Sequence, residues 1–245
     1  MGLSKKALIL LILFSTSAVA QRSEGSVPPA RTFAKGEMFA AKGQDSHPLF
    51  KWELRKVRSK KGDTFRSTWS APNGTLYASE ITELGRDGHL KRYEIDQFQT
   101  GESGAVEIKQ KKAVFSWGTP SSMHTSEEDL SDDFVAPTTI PFLIQKKWKD
   151  LQLGREVKMH LAVLPWKRTI GFALKKISEN RKAKEIELKL SPSSPILSFF
   201  SPNMGFTINT KSKMIVKFSG PSLAKGGSDG KWKDVDVHAL YRYLQ

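Results

Sequence analysis

The chain contains no cysteine among its 245 residues. Disulfides, thiol nucleophiles, iron–sulfur clusters and cysteine-ligated zinc are therefore excluded. So is the cysteine on which a bacterial lipoprotein is lipidated behind its leader. No apolar run beyond residue 20 approaches the ~20 residues that a membrane-spanning helix needs. Motifs that name a reaction are missing as well. There is no G-x-S-x-G elbow, no glycine-rich phosphate loop, and no H-E-x-x-H or H-x-H spacing among the five histidines. The sequence thus calls for no cofactor, and catalysis would have to rest on groups that the fold alone brings together.

What is present begins with a leader. Lys5 and Lys6 precede the apolar run 7–14, and a small, polar stretch then ends in Ala18-x-Ala20. This is the tripartite pattern of a cleavable secretory signal. It predicts cleavage after Ala20 and a mature protein in the periplasm or secreted. A chain of this length buries enough core to fold without disulfide staples. The formal charge is +14, and removing Lys5 and Lys6 leaves +12. Such an excess favours anionic partners: anionic lipid, lipopolysaccharide or acidic glycan, with an envelope protein as a further candidate. Nucleic acid is disfavoured, because Trp52, Trp69, Trp117 and Phe172 fall on the apolar phase of their segments instead of interleaving with exposed basic residues.

Residues 21–46 lack steady periodicity and read as a flexible mature N-terminus ahead of a single β-rich domain at 47–245. From Leu49 the pattern changes. Phe50, Trp52 and Leu54 alternate with Lys51, Glu53 and Arg55, the period of a half-buried strand. Turn residues at Asn73-Gly74 and Asp87-Gly88 separate further segments of this kind. Residues 118–137 are polar, acidic and bounded by prolines, and read as a long loop. After it comes the one helical pattern: Ile140, Leu143, Ile144, Trp148 and Leu151, with Thr138 or Thr139 as cap, Pro141 in the first turn and Gly154 as stop. Alternating segments then resume around Val157, Ile170, Ile186, Phe206 and Met214, with a closing strand at Trp232, Val235 and Val237. The fold class that follows is mainly β: an antiparallel curved sheet or open barrel of about ten strands with one covering α-helix.

Candidate sites are few. Lys146, Lys147 and Lys149 beside Trp148 pair a basic face with an apolar stripe, as interfacial helices do. Phe199 and Phe200 lie in a proline-bounded apolar run at 196–200. Both are candidate contacts for a lipidic or anionic ligand, and burial against the sheet is the simpler account of each. His124 with Glu127, Glu128 and Asp129 is a weak candidate for a metal, because the segment lacks the spacing and central glycine of a calcium loop.

Three stretches carry a resemblance. They are the G-x-L-x-A-x-E segment at 74–80, the P-F-x-x-x-x-x-W-x-x-L-x-x-G segment at 141–154 and the segment at 230–236. In these the chain resembles exported DUF3108-like proteins over about residues 45–243. That resemblance implies a predominantly β fold similar in architecture to periplasmic lipoprotein carriers of the LolA/LolB type. It also implies a concave apolar surface for acyl chains, and it brings no catalytic residues with it. The expected function is a non-catalytic binding or scaffolding module of the envelope. The alternatives are a hydrolase of an envelope polymer and a subunit of an envelope complex.

Overall fold

The computed structural model describes residues 30–42, 47–194, 204–228 and 230–244. The leader at 1–20 and the apolar run holding Phe199 and Phe200 lie outside the described residues.

Among the described residues fifteen strands form one sheet. The first eight are β1 (Arg31–Ala40), β2 (Phe50–Ser59), β3 (Gly62–Ser70), β4 (Leu76–Gly85), β5 (Leu90–Gln97), β6 (Glu102–Lys109), β7 (Lys112–Thr119) and β8 (Ser122–Asp129). Each pairs antiparallel with the next. The second series is β9 (Phe134–Val135), β10 (Val157–Val163), β11 (Arg168–Asn180), β12 (Glu185–Pro192), β13 (Met204–Asn209), β14 (Ile215–Pro221) and β15 (Asp236–Tyr243). It is antiparallel throughout, except that β9 lies parallel to β10. β15 pairs with β1, so two meanders join side by side in the middle of the sheet.

This order leaves β8 and β9 as the two edges, although only residues 130–133 separate them in the chain. The sheet therefore curls back towards itself without closing its backbone ladder. Side chains bridge part of the gap. The Thr169 N–H donates to both oxygens of the Glu128 carboxylate, at 3.0 and 3.2 Å, and the Ser126 hydroxyl donates to the Lys167 carbonyl. Mainly β, one curved open sheet, is the architecture expected from the alternation.

Three segments depart from the sequence reading. Residues 31–40 are not flexible: they form β1, which sits between β2 and β15. Their inward phase is Ala34, Gly36 and Met38, too small to register as an apolar alternation. The supposed loop at 118–137 contains β8 and β9. β8 is polar on both faces because it is an edge, where charged side chains discourage pairing with another chain. These three strands are part of the difference between the about ten expected and the fifteen found among the described residues. The last strand also begins later, at Asp236, with Trp232 and Val235 in the preceding loop.

The helical segment is where its spacing put it. A 3-10 turn at Pro137–Thr139 leads into α1 (Ile140–Lys146), and α2 (Trp148–Gln152) continues beyond Lys147. Thr139 holds the N-cap position of α1 without a side-chain cap bond; its hydroxyl instead accepts from the Ala136 N–H and donates to the Ala136 carbonyl, which secures the 3-10 turn. Gly154, at φ +74, ends the helix in the left-handed conformation. Ile140, Ile144, Trp148 and Leu151 face inward and pack with Met159, Leu174 and Leu188 of the sheet. A second cluster joins β5–β7 to Ala162 and Leu164, and a third joins β1–β4 to β15.

One close approach fixes the centre of the sheet. Gly36 of β1 is paired with Trp52 of β2 on one side and Tyr241 of β15 on the other. A Cβ at Gly36 would lie 2.7 Å from the Tyr241 ring and 3.2 Å from the Leu240 carbonyl oxygen. Without it the two neighbouring rings meet above the glycine, centroids 4.9 Å apart and edge to face. Gly36→Val should therefore cost roughly 1–3 kcal/mol by overpacking. The cost would be read as a lower urea midpoint with an unchanged slope.

Candidate ligand cavity

The clusters do not fill the concave face of the sheet. Between them lies a cavity of about 830 Å³, within the size range of small-molecule sites. Its floor comes from strands near the β1–β15 junction: Met38, Trp52, Trp69 and Tyr241. Trp52 and Trp69 are cross-strand partners with rings 6.5 Å apart. Phe172, Leu190, Phe206 and Phe218, from β11 to β14, continue the lining beyond β15. These residues face the same space because side chains two apart on a strand share a face.

The segment from the 3-10 turn through α1 crosses the cavity as a cover. The Thr138 and Thr82 hydroxyls are 2.5 Å apart and tie its start to β4. The Phe142 ring packs on Phe65 of β3 at 5.4 Å, and the Gln145 amide reaches the sulfur of Met214 at 3.5 Å. Phe142 and Trp166 both line the cavity and are 40% and 56% exposed, so the opening lies beside them.

Among the described residues lining the cavity, two carry a formal charge, Lys56 and Glu80. Lys56 is committed: its ammonium is 2.7 Å from Asp63 and 5.0 Å from the centre of the Phe65 ring. The Asp63 carboxyl is held below its ordinary value, chiefly by the hydrogen bond from Lys56. Glu80 is different. It sits on β4 among the buried residues, and its one hydrogen bond from the described residues comes from the Tyr93 hydroxyl, 2.5 Å from Oε1. Burial raises its carboxyl to about 7, with Tyr93 pulling weakly the other way. Burial first, and then the Glu80 charge, push the Tyr93 phenol well above its ordinary value. Ser67, the register partner of Glu80 on β3, lines the same wall.

The residues picked out by sequence fall elsewhere. Lys146, Lys147 and Lys149 are exposed, and Trp148 is buried in the core beneath the helix. None of the four lines the cavity, whereas Ile140, Pro141, Phe142 and Gln145 of the same segment do. His124, Glu127, Glu128 and Asp129 are spread along β8 on alternating faces. His124 contacts the Ser122 hydroxyl, Glu127 and Asp129 face Lys112, and Glu128 bonds Thr169. No group of three or more metal-ligating side chains occurs among the described residues. A histidine–carboxylate pair does exist, His160 with Asp133 at 2.6 Å, but both side chains are solvent-accessible and outside the cavity. Among the described residues no helix is long and apolar enough to cross a membrane.

Glu80 and Tyr93 were missed by sequence reasoning. The available signal was a carboxylate in phase with Ala78, yet Ile81 and Tyr77 on the other phase made the direction of β4 ambiguous.

Comparison with known proteins adds little to this geometry. No protein-family model matches the chain, and no curated protein matches it. Among solved structures, a β-barrel-like protein of domain of unknown function DUF1849 from Brucella abortus is similar at a TM-score of 0.44 and 6% identity. That likeness covers 88% of this chain and 100% of the other.

Proposed function

We propose that the protein is a non-catalytic binding module that holds an acyl chain, or a comparably long apolar group, inside its curved sheet. The cavity is the observation that carries this reading: about 830 Å³ of space walled by aromatic and aliphatic side chains, with one uncommitted charge-bearing group among the described residues. Left empty of ligand, such a wall forgoes dispersion contacts that close-packed cores retain. An apolar chain would restore them. The resemblance to DUF3108-like exported proteins, and through them to carriers of the LolA/LolB type, agrees with this reading. So does the leader, which directs the protein to the periplasm or beyond. The basic exterior suits an anionic lipid or glycan surface as the place of loading.

The test is a homologous series. Saturated fatty alcohols of increasing length should displace a fluorescent naphthylamine probe from the protein. Affinity should rise about fourfold per methylene, from ~0.8 kcal/mol each, until the cavity is full. Affinity independent of chain length, or no probe binding, would overturn the reading.

A further inference from the structure

We propose that the ligand enters with an uncharged carbonyl, an ester or amide at the head of its acyl chain, which accepts a hydrogen bond from the Glu80 carboxyl within the cavity wall. This rests on the binding reading above and names the chemistry of its ligand.

The geometry sets the requirement. Glu80 lines the cavity with Tyr93 and Ser67 in an otherwise apolar stretch of wall. Tyr93 donates to Oε1, so the carboxyl has an acceptor site satisfied and its second oxygen turned to no protein partner among the described residues. That second oxygen is not among the side-chain atoms that are both buried and unpartnered, so it is reachable from the cavity. A ligand that displaces water from it must supply a hydrogen bond in the water's place, because a polar group desolvated without one costs free energy.

Which group completes it follows from charge. Around Glu80 the neighbouring elements present Ser67 from β3, Tyr93 and Ile95 from β5, and Tyr241 from β15 across the cavity. Burial keeps both phenols protonated. The one cation among the described lining residues, Lys56, is bound to Asp63. A ligand carboxylate would thus meet a second carboxyl with no free cation beside it. A ligand ammonium would have to be stripped of water together with Glu80, and desolvating two ions in an apolar wall offsets much of their attraction. A neutral carbonyl avoids both penalties. Burial raises Glu80 to about 7, so below that pH it carries the proton that a carbonyl needs. A carboxylic acid kept neutral by an apolar site, and used as a donor, is an established device in proteins.

The experiment compares two neutral amphiphiles of equal chain length: a monoacylglycerol, and the glyceryl alkyl ether that lacks the carbonyl. Displacement of the naphthylamine probe is measured a unit or more below and above the pH of about 7 to which burial brings Glu80. At the lower pH the ester should bind roughly three- to tenfold tighter than the ether, the contribution of one net hydrogen bond. At the higher pH the preference should disappear. Glu80→Gln, whose amide donates at every pH, should keep the preference at both. Glu80→Leu should abolish the preference and keep chain-length-dependent binding. Equal binding of ester and ether by the unaltered protein at both pH values overturns the inference and leaves the cavity reading standing. A preference for an alkylamine of the same length, growing with pH, overturns it in favour of a cation site. Failure of every amphiphile to displace the probe overturns the cavity reading itself.

Discussion

Replacing Glu80 by glutamine is expected to raise stability by about 3 kcal/mol above neutral pH and to change it little in acid. The carboxyl has an ordinary value of 4.5 in the unfolded chain and about 7 in the native protein. The native state therefore binds its proton more tightly than the unfolded state does. Below pH 4.5 both states are protonated and burial of Glu80 carries no ionic penalty. Between 4.5 and 7 the unfolded chain releases the proton and the native protein retains it, so stability falls as pH rises. Above 7 the fall is complete, and the interval of ~2.5 units corresponds to about 3 kcal/mol at ~1.4 kcal/mol per unit. Glutamine keeps the acceptor for the Tyr93 hydroxyl and cannot ionise, so its curve lacks this fall.

Urea midpoints of both proteins across the pH range give the measurement. The quantity to read is the difference between the curves. Other carboxyls shape each curve but cancel in the difference. Glu53 is lowered chiefly by its hydrogen bond with Arg55 and Glu107 by that with Lys109, and they add stability as pH rises through the acid range. Asp96 is raised, by burial first and the Glu94 charge second, and acts in the opposite sense. Parallel curves for the two proteins would show that Glu80 is solvated in the native state, contrary to its burial in the cavity wall.

The architecture was legible where one face of a strand is greasy and the other charged. Phe50, Trp52 and Leu54 against Lys51, Glu53 and Arg55 announce β2 without help from any other element. The helix was equally plain, since Ile140, Ile144, Trp148 and Leu151 recur at its period. β1 and β8 were not legible, for opposite reasons. β1 buries Gly36 because the neighbouring Tyr241 and Trp52 rings occupy the space above it. Its interior quality thus belongs to its neighbours. β8 buries almost nothing, being an edge, and its half-buried residues Ser126 and Glu128 are spent on the seam to Thr169 and Lys167. The cavity was illegible in principle. Periodicity says which side chains point inward, and it says nothing of whether opposing walls meet. Here the helix, the turn at Leu164–Trp166 and the loop around Leu223 each pack on a different part of the sheet, and the volume between them stays open. Glu80 inherits its importance from that volume.

Trp148→Ala should be the most damaging of the helix substitutions, lowering stability by about 3–5 kcal/mol. In the sequence Trp148 stands between Lys147 and Lys149 and is a candidate lipid contact, with burial against the sheet as the simpler account. In the fold its indole is 7% exposed and belongs to the cluster formed with Ile144, Leu151 and the inward face of β10–β13. Removing it opens a void between helix and sheet that the strands, hydrogen-bonded on both sides, cannot collapse to fill. The adjacent lysines are exposed, and alanine at Lys146, Lys147 or Lys149 should stay within about 0.5 kcal/mol of the parent. The two readings of this segment separate in one pair of measurements. If Trp148 were a ligand contact, its loss would weaken displacement of the probe by fatty alcohols and leave the urea midpoint nearly unmoved. If it anchors the cover, the midpoint drops, and at low denaturant the chain-length dependence of binding survives, because Phe142 and Gln145 and not Trp148 face the cavity. The second pattern is the expected one. It assigns the helix two faces with separate duties, one holding the cover to the sheet and one closing the cavity.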